Sequence, residues 1–345
     1  MNLIALLLGL VVERLATKLF RVRRLRWLDR LIDAGFRQAQ RLPTWPALIP
    51  VILLALLLVL PIAVISLVLG DKLAGLPYVA FAIVVLFFSF GPKDIGEDVD
   101  EYCRALEDGD EEKIMQTAKA IVESDVPEDA LERIHKVEES VCVQANNRLF
   151  AVIFWFVVLG PLGPLGAWAY RVTDLIRRRA VFTASRDDQT DSTMTLVRDA
   201  AVLLHGWLAW IPARLTAIGY AAAGHFDAAV GAWREPTEQQ DASLAEYNEN
   251  LLARVGVSAL ALDDDAEEDL LKRGVRGASA ANRLVFRLLL IWAVVISAMT
   301  LYGLTQRREE SGPRWPWRAC WPALSRRHRS HRPHPYRALS CWHPI

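Results

Sequence analysis

The chain has 345 residues, of which 53% are hydrophobic, and its 40 basic residues balance its 40 acidic residues. The hydrophobic share is high for a soluble globule, so the composition predicts membrane segments together with sizeable aqueous parts. Residues 306–345 carry nine Arg, and the rest of the chain holds 31 basic against 38 acidic residues, which excludes the concentrated basic face of a nucleic-acid groove.

The first apolar segment, 3–15, begins with ten uncharged residues and then reaches Glu13 and Arg14. It lacks the basic leader and the small-residue cleavage site of a signal peptide. We therefore expect a retained membrane helix that is short or only half-inserted. Basic residues crowd the stretch 18–41, which the positive-inside rule places in the cytosol.

Three later runs are apolar enough to cross a bilayer. Residues 47–69 contain no charged residue, and neither do residues 73–90, which follow after a three-residue polar link. Residues 285–304 contain one charged residue, Arg287. A hydrocarbon core of about 30 Å needs about 20 helical residues. The first two runs therefore predict an antiparallel pair of spanning helices, and the third predicts another span near the end of the chain.

Residues 91–147 are polar and acidic, and they predict short cytoplasmic helices that cap the membrane part. Asp125 or Pro127 would begin a helix over 126–143, with one apolar face formed by Leu131, Ile134, Val137 and Val141. The carboxylate pairs in this region, such as Glu111-Glu112 and Glu138-Glu139, are interpreted as a solvated face rather than as acid/base groups.

Residues 149–170 are long enough to span a membrane but contain Gly160, Pro161 and Pro164. Proline in a helix interior removes a backbone donor and clashes with the preceding turn. The segment therefore predicts a broken helix or a re-entrant hairpin. Irregular backbone at membrane depth is tolerated only against protein or a wet cavity, so this segment points to a functional interior.

Residues 180–282 form a mixed amphipathic region. The stretch 197–223 is apolar but holds four polar positions, so it would lie in the membrane interface or cross it within a helix bundle; those positions are Arg198, Asp199, His205 and Arg214. The acidic run 263–269 lacks the spacing of a calcium loop and predicts a linker. Residues 305–345, rich in Arg, Pro, Trp and His, are expected to be a disordered tail.

Motifs that would identify an enzyme are missing from the sequence. It has no phosphate-binding loop, no dinucleotide-binding fingerprint, no zinc-protease helix and no nucleophile elbow. None of the four Cys belongs to a C-x-x-C pair, so Cys103 and Cys142 are expected to be reduced thiols. The sequence therefore predicts no catalytic residue, no cofactor and no metal site.

Three stretches together resemble the AmpE family, and the resemblance runs from the first residues to about Gly303. They are Leu6–Leu15, with its Glu13-Arg14 end; Asn147–Tyr170, with Phe154-Trp155-Phe156 and Gly160-Pro161; and Leu204–Trp233, with Trp210-Ile211-Pro212-Ala213-Arg214. The resemblance implies an all-α, multi-pass protein of the bacterial inner membrane with helical cytoplasmic segments. It also implies a regulatory role in β-lactamase induction, performed by binding a membrane or cytosolic partner or a ligand, without turnover.

The second and third stretches are also similar to the cobinamide-phosphate synthase family of corrinoid biosynthesis. That similarity implies an alternative, an ATP-dependent enzyme that forms an amide bond and uses ATP with magnesium. The chain departs from that family's pattern where Val143 and Asn147 replace acidic residues and where His205-Gly206 replaces a pair of Asp. Carboxylates are the groups best able to hold a metal–nucleotide or to move a proton, so these changes favour the regulatory alternative.

The stretch around Trp210, Pro212 and Arg214 has two interpretations. Trp prefers the headgroup level of a bilayer and a long Arg side chain can extend toward water, so the stretch could be an interface anchor. Arg also binds carboxylates and phosphates. The second interpretation is therefore a pocket for an anionic ligand, which these residues would form together with Glu13, Arg14, Tyr170 and Arg171.

Overall fold

A computed structural model describes residues 26–40, 45–68, 76–90, 94–123, 125–186, 192–235, 243–262 and 268–310. Within these ranges the chain forms helices and no strands, so the predicted all-α fold class is confirmed. The α-helices are α1 (Arg26–Gln40), α2 (Leu48–Val68), α3 (Leu76–Ser89), α4 (Ile95–Asp108), α5 (Glu111–Ile121), α6 (Ala130–Ala145), α7 (Ala151–Val158), α8 (Gly163–Arg186), α9 (Ser192–Ala223), α10 (Phe226–Arg234), α11 (Leu244–Leu260) and α12 (Leu270–Glu310).

The chain divides into two compact units, Met1–Ser297 and Ala298–Ile345. In the second unit the described residues, 298–310, form the end of α12. The tail was expected to begin at residue 305, but the helix continues to Glu310. The remainder of that tail, like the predicted segment 3–15, lies outside the described residues.

Within the described residues, four helical stretches are long and apolar enough to cross a membrane, which fits the predicted multi-pass membrane protein. They are Leu48–Leu67, Ala130–Val158, Thr193–Ala223 and Leu270–Thr300, and α3 adds a shorter apolar helix. Leu53, Leu57 and Leu60 on α2 are each more than half exposed. Apolar side chains that face outward suit contact with lipid chains. The backbone of such a helix can also lie in lipid, because its hydrogen bonds are satisfied within the helix.

The acidic helices begin at short polar caps. Asp94 accepts a hydrogen bond from the Gly96 amide, Asp110 accepts one from the Lys113 amide, and Asp129 accepts one from the Glu132 amide. Each cap satisfies an amide that has no partner within its helix. The predicted cap for α6 was wrong: Asp129 starts that helix, not Asp125 or Pro127, because its side chain is the one that reaches an amide of the first turn.

Two further predictions for this region need correction. Ile134, Val137 and Val141 are buried as expected, but Leu131 is 43% exposed because it lies at the start of α6, beyond the packed face. Glu138 is not on a solvated face. It is buried and forms an ion pair with Arg273 of α12, and a buried carboxylate requires such a partner.

Cys103 and Cys142 are buried free thiols that form no disulfide bond.

The backbone breaks at the Gly-Pro segment. A π-helical turn, Asn146–Phe150, links α6 to α7, and a 3-10 turn, Gly160–Leu162, separates α7 from α8. Gly160 has φ of +53°, which favours glycine because a Cβ is disfavoured there. A Cβ on Gly163 would lie 2.4 Å from the Phe156 carbonyl oxygen. Glycine therefore permits the close return of α8 along α7.

In the part of the chain that the structure describes, three apolar cores hold the helices together. One joins α4, α5 and α6 to α11 and to parts of α9 and α12. A second joins α1 and α2 to the later part of α8 and the start of α9. The third joins α3 and α7 to the start of α8. Helix α8 therefore contributes to the third and the second core, while its Arg177 and Arg178 contact Glu123 and Gln144 of the acidic region.

Candidate functional site

A polar cavity of about 750 Å³ lies between α5, α6, α8 and α11. Apolar side chains such as Val143 and Phe182 form part of its wall. Most of its other lining side chains are charged, with basic and acidic groups in nearly equal number. The charged lining residues are Lys119, Glu123, Lys136, Glu139, Arg148, Arg177, Arg178, Glu246 and Glu249.

Asp174 on α8 is the centre of an ion-pair network behind this cavity. Its carboxylate is fully buried and accepts hydrogen bonds from Arg171 Nη1 at 2.7 Å, Arg177 Nη2 at 3.3 Å and Arg178 Nε at 2.9 Å. Burial opposes ionisation of Asp174, but Arg178, Arg177 and Arg171 outweigh it and hold its pKa well below the usual value. The carboxylate is therefore charged at neutral pH.

Two glutamates on other elements complete the pairing of these arginines. Glu123, which follows α5, contacts Arg177 at 2.8 Å and Arg178 at 2.7 Å, and Glu249 of α11 contacts Arg177 at 3.3 Å. Burial alone would raise the pKa of Glu123, but Arg178 and Arg177 lower it to about 2. For Glu249 burial prevails and raises the pKa. Arg177 thus connects three elements through its carboxylate partners.

Arg148 enters the cavity from the π-helical turn that follows α6. Its Nη1 donates to Asp98 at 2.8 Å, its Nε donates to Gln144 Oε1 at 3.0 Å, and its Nη2 donates to the Ala120 carbonyl at 3.3 Å. Gln144 Oε1 also accepts from Arg178 at 3.1 Å. A π-helical turn inserts an extra residue and often occurs at functional sites; here it places a guanidinium against α4 and α5.

A chain of neutral polar side chains lies behind the network. The Tyr170 hydroxyl is 3.3 Å from Asn147 Oδ1, and the Tyr170 ring lies 5.4 Å from the ring of His205. His205 Nε2 is 3.8 Å from Asp174. Neither ring nitrogen of His205, nor Asn147 Nδ2, has a hydrogen-bond partner within the described residues. Buried polar atoms without partners are uncommon and costly.

The positions that differ from the corrinoid-synthesising pattern come together here. Val143 lines the cavity, while Asn147 and His205 lie on either side of Tyr170. The carboxylates that are present around the cavity come from other positions. Asp98, Glu123, Asp174 and Glu249 are each bonded to arginine. Glu139 and Glu246 also line the cavity, and they contact Lys136 and the Ser243 amide instead of arginine.

The residues predicted to form an anionic-ligand pocket occupy two settings. Tyr170 and Arg171 are buried beside Asp174, whereas Arg214 contacts Trp210 and Asn248 at a partly exposed part of α9. Pro212 is buried within α9, and the helix continues through it. Glu13 and Arg14, the remaining members of that pocket, lie outside the described residues.

Four residues of this network were not predicted as site residues from the sequence: Arg148, Asp174, Arg177 and Glu123. One signal was available on α8, where Arg171, Asp174, Arg177 and Arg178 are spaced three or four apart and so share one helix face. That spacing gives the pairs within α8. It does not reveal the partners Glu123, Glu249 and Gln144, which come from distant parts of the chain.

Comparisons with known proteins agree with both resemblances noted in the sequence. A family model described as "Regulatory signalling modulator protein AmpE" matches residues 1–305. A protein of Stutzerimonas stutzeri named "Cobalamin biosynthesis protein CobD" is 27% identical over 179 residues, 52% of this chain and 55% of that protein. A protein of the same name from Chromobacterium violaceum is 27% identical over 173 residues, 47% of this chain and 50% of that protein. The chain therefore spans about half the length of these curated relatives, and no solved structure matches it.

Proposed function

The chain belongs to the AmpE family, and from this premise we propose that it modulates β-lactamase induction from the bacterial inner membrane. The family description supports a regulatory protein, and the apolar helices support its place in a bilayer. The partner that receives the signal would be a membrane or cytosolic regulatory protein. The proposed action is binding without turnover.

The cavity beside Asp174 is the proposed place of that binding. The observation that carries this proposal is that Arg177 bonds to carboxylates on three separate elements, α8, the link after α5, and α11. An anionic group on a ligand would compete with Glu123 or Glu249 for Arg177. Because breaking either pair releases one element from α8, ligand binding would change how the acidic helices are held. Such a change could be sensed by a partner.

A cavity-filling variant tests this proposal. Ala120 lies at the rim of the cavity and is exposed, whereas Gln116 is exposed on the same helix but does not line the cavity. We would express the wild type, Ala120→Trp and Gln116→Trp in a bacterial strain lacking its own family member, at matched membrane levels. β-Lactam-induced β-lactamase activity is the readout. The wild type and Gln116→Trp should change induction and Ala120→Trp should not.

Either of two outcomes would count against the proposal. If the wild type leaves induction unchanged, the regulatory role has no support in this chain. If Ala120→Trp acts like the wild type, the cavity is not the binding place, although the regulatory role would stand.

The second candidate function is an ATP-dependent, amide-bond-forming enzyme related to corrinoid biosynthesis. The two relatives named for cobalamin biosynthesis are the observation that favours it. This candidate predicts that the purified protein binds ATP with magnesium. Equilibrium binding of a fluorescent ATP analogue in detergent would separate the two proposals, because regulation by the cavity alone requires no nucleotide. Saturable binding that unlabelled ATP displaces would favour the enzyme.

A further inference from the structure

Arg214 is held in one orientation on the surface of α9. Its Nη1 donates to the Trp210 carbonyl at 2.9 Å and to Asn248 Oδ1 at 3.0 Å. Asn248 is fixed in turn, because its Nδ2 donates to the Gly206 carbonyl at 3.0 Å. The guanidinium also lies 4.0 Å from the centroid of the Trp210 ring and 5.5 Å from that of Tyr247. These contacts preorganise the cation.

One edge of this guanidinium is unused. Within the described residues, Nη1 makes all the hydrogen bonds of the Arg214 side chain, and no ion pair joins this guanidinium to a carboxylate. Arg177 and Arg178, by contrast, each contact two or more carboxylates. A planar guanidinium with a free edge presents two parallel donors, the geometry that binds two oxygens of a phosphate or carboxylate.

The surroundings of Arg214 indicate where that anion comes from. On one side, α9 exposes an apolar row formed by Trp207, Ile211, Leu215 and Ile218. On the other side, α11 carries Glu246 and Glu249, which line the polar cavity. Arg214 therefore lies at the boundary between the apolar surface of α9 and the polar surface of α11. Trp and Tyr side chains concentrate at such a boundary in membrane proteins.

We propose that Arg214, with Trp210 and Tyr247, binds the headgroup phosphate of an anionic phospholipid. The free edge of the guanidinium would take two phosphate oxygens, and the exposed row on α9 would contact the acyl chains. A free phosphate ion would bind the guanidinium in the same way, but it has no acyl chain to contact the exposed row on α9. The lipid site does not depend on the proposed regulatory function, because Trp210, Arg214 and Tyr247 do not line the cavity.

The test is a lipid titration of the purified full chain in a neutral detergent. Phosphatidylglycerol, phosphatidylcholine and inorganic phosphate are added separately, and the thermal unfolding midpoint is followed. The wild type should be stabilised most by phosphatidylglycerol. Arg214→Gln should weaken that binding by at least about tenfold, the loss expected for one charge-assisted pair. Arg214→Lys, which keeps the charge but loses the planar fork, should be intermediate.

Arg198→Gln is the matched control, since Arg198 is exposed on the same helix but already paired with Asp199. It should bind phosphatidylglycerol like the wild type. The proposal is overturned if Arg214→Gln also binds like the wild type, or if inorganic phosphate alone gives the full stabilisation. If Arg214→Gln shows no cooperative unfolding, Arg214→Lys decides, and wild-type affinity in that variant would overturn the proposal.

Discussion

The Asp174 carboxylate accepts a hydrogen bond at 2.9 Å from Nε of Arg178, one turn further along α8. Pairs at this spacing on an exposed helix contribute only about 0.2–0.5 kcal/mol. Here the carboxylate has no exposed surface, and Arg171 and Arg177 contact it as well. Removing Asp174 would therefore take a buried counter-charge from all three arginines, and this difference from a surface pair can be measured.

We expect Asp174→Asn to destabilise the protein by about 3–5 kcal/mol, because three arginines would lose their shared counter-charge. Thermal or denaturant unfolding of the purified protein in detergent is the measurement. Asp199→Asn is the control, since Asp199 pairs with Arg198 at 2.8 Å on the exposed side of α9. That variant should lose at most about 1 kcal/mol. Equal losses in the two variants would contradict a buried network.

Acidification should weaken the network through Glu123. The pKa of Glu123 is lowered to about 2 in the folded protein from an ordinary value of 4.5. Its contribution to stability is therefore complete above about pH 4.5 and is lost as the pH falls toward 2. As the pH is lowered from 6 to 3, the unfolding midpoint of the wild type should decrease, and that of Glu123→Gln should decrease less. Parallel curves for the two proteins would refute this assignment.

Glu249 should act in the opposite direction. Burial raises its pKa above the ordinary value, so its protonation favours the folded state as the pH falls. The Glu249→Gln variant lacks this compensation. Its midpoint should therefore drop more steeply than that of the wild type over the same pH range, and a shallower drop would show that Arg177 outweighs burial at this position.

The packing of α11 against α6 depends on the small side chain at position 256. A Cβ on Gly256 would lie 2.5 Å from Cys142 Sγ, whereas a Cβ on Gly231 would meet nothing within 4 Å. Gly256→Ala should cost about 1–3 kcal/mol by overpacking. Gly231→Ala should stabilise α10 by roughly 0.5–1 kcal/mol, because alanine favours a helix over glycine. Denaturant unfolding of both variants checks the pair, and a neutral Gly256→Ala would disprove the close contact.

The predicted topology can be tested by cysteine labelling in whole cells. The acidic helices are expected in the cytosol, and Glu112 is exposed on α5. In a background with Cys320→Ser and Cys341→Ser, Glu112→Cys should react with a membrane-impermeant maleimide only after the cells are permeabilised. Asp71→Cys lies in the link between the first two predicted spans. It should react as soon as the outer membrane is made permeable, while the inner membrane is still intact. The reverse pattern would invert the orientation.

Several features were predictable from local sequence because their cause is local. A run of about 20 uncharged residues predicts a membrane helix whatever surrounds it, since backbone groups in lipid must bond within the segment. Leu48–Val68 is such a helix. The interruption at Gly160 and Pro161 is equally local, because proline cannot continue the preceding helix and glycine permits the left-handed turn.

Tertiary structure alone decided which charged residues are buried. Glu138 and Glu139 are adjacent and identical, yet Glu138 is buried against Arg273, while Glu139 pairs with Lys136 at the surface. The sequence around Asp174 does not show that this residue is buried. Its burial depends on the tertiary contacts that bring Glu123 and Glu249 next to its partner Arg177. Burying a charge is costly unless a counter-charge is supplied. The distant counter-charges, Glu123 and Glu249 for Arg177 and Arg273 for Glu138, lie 54 or more positions away in the sequence, so only the folded chain brings them together.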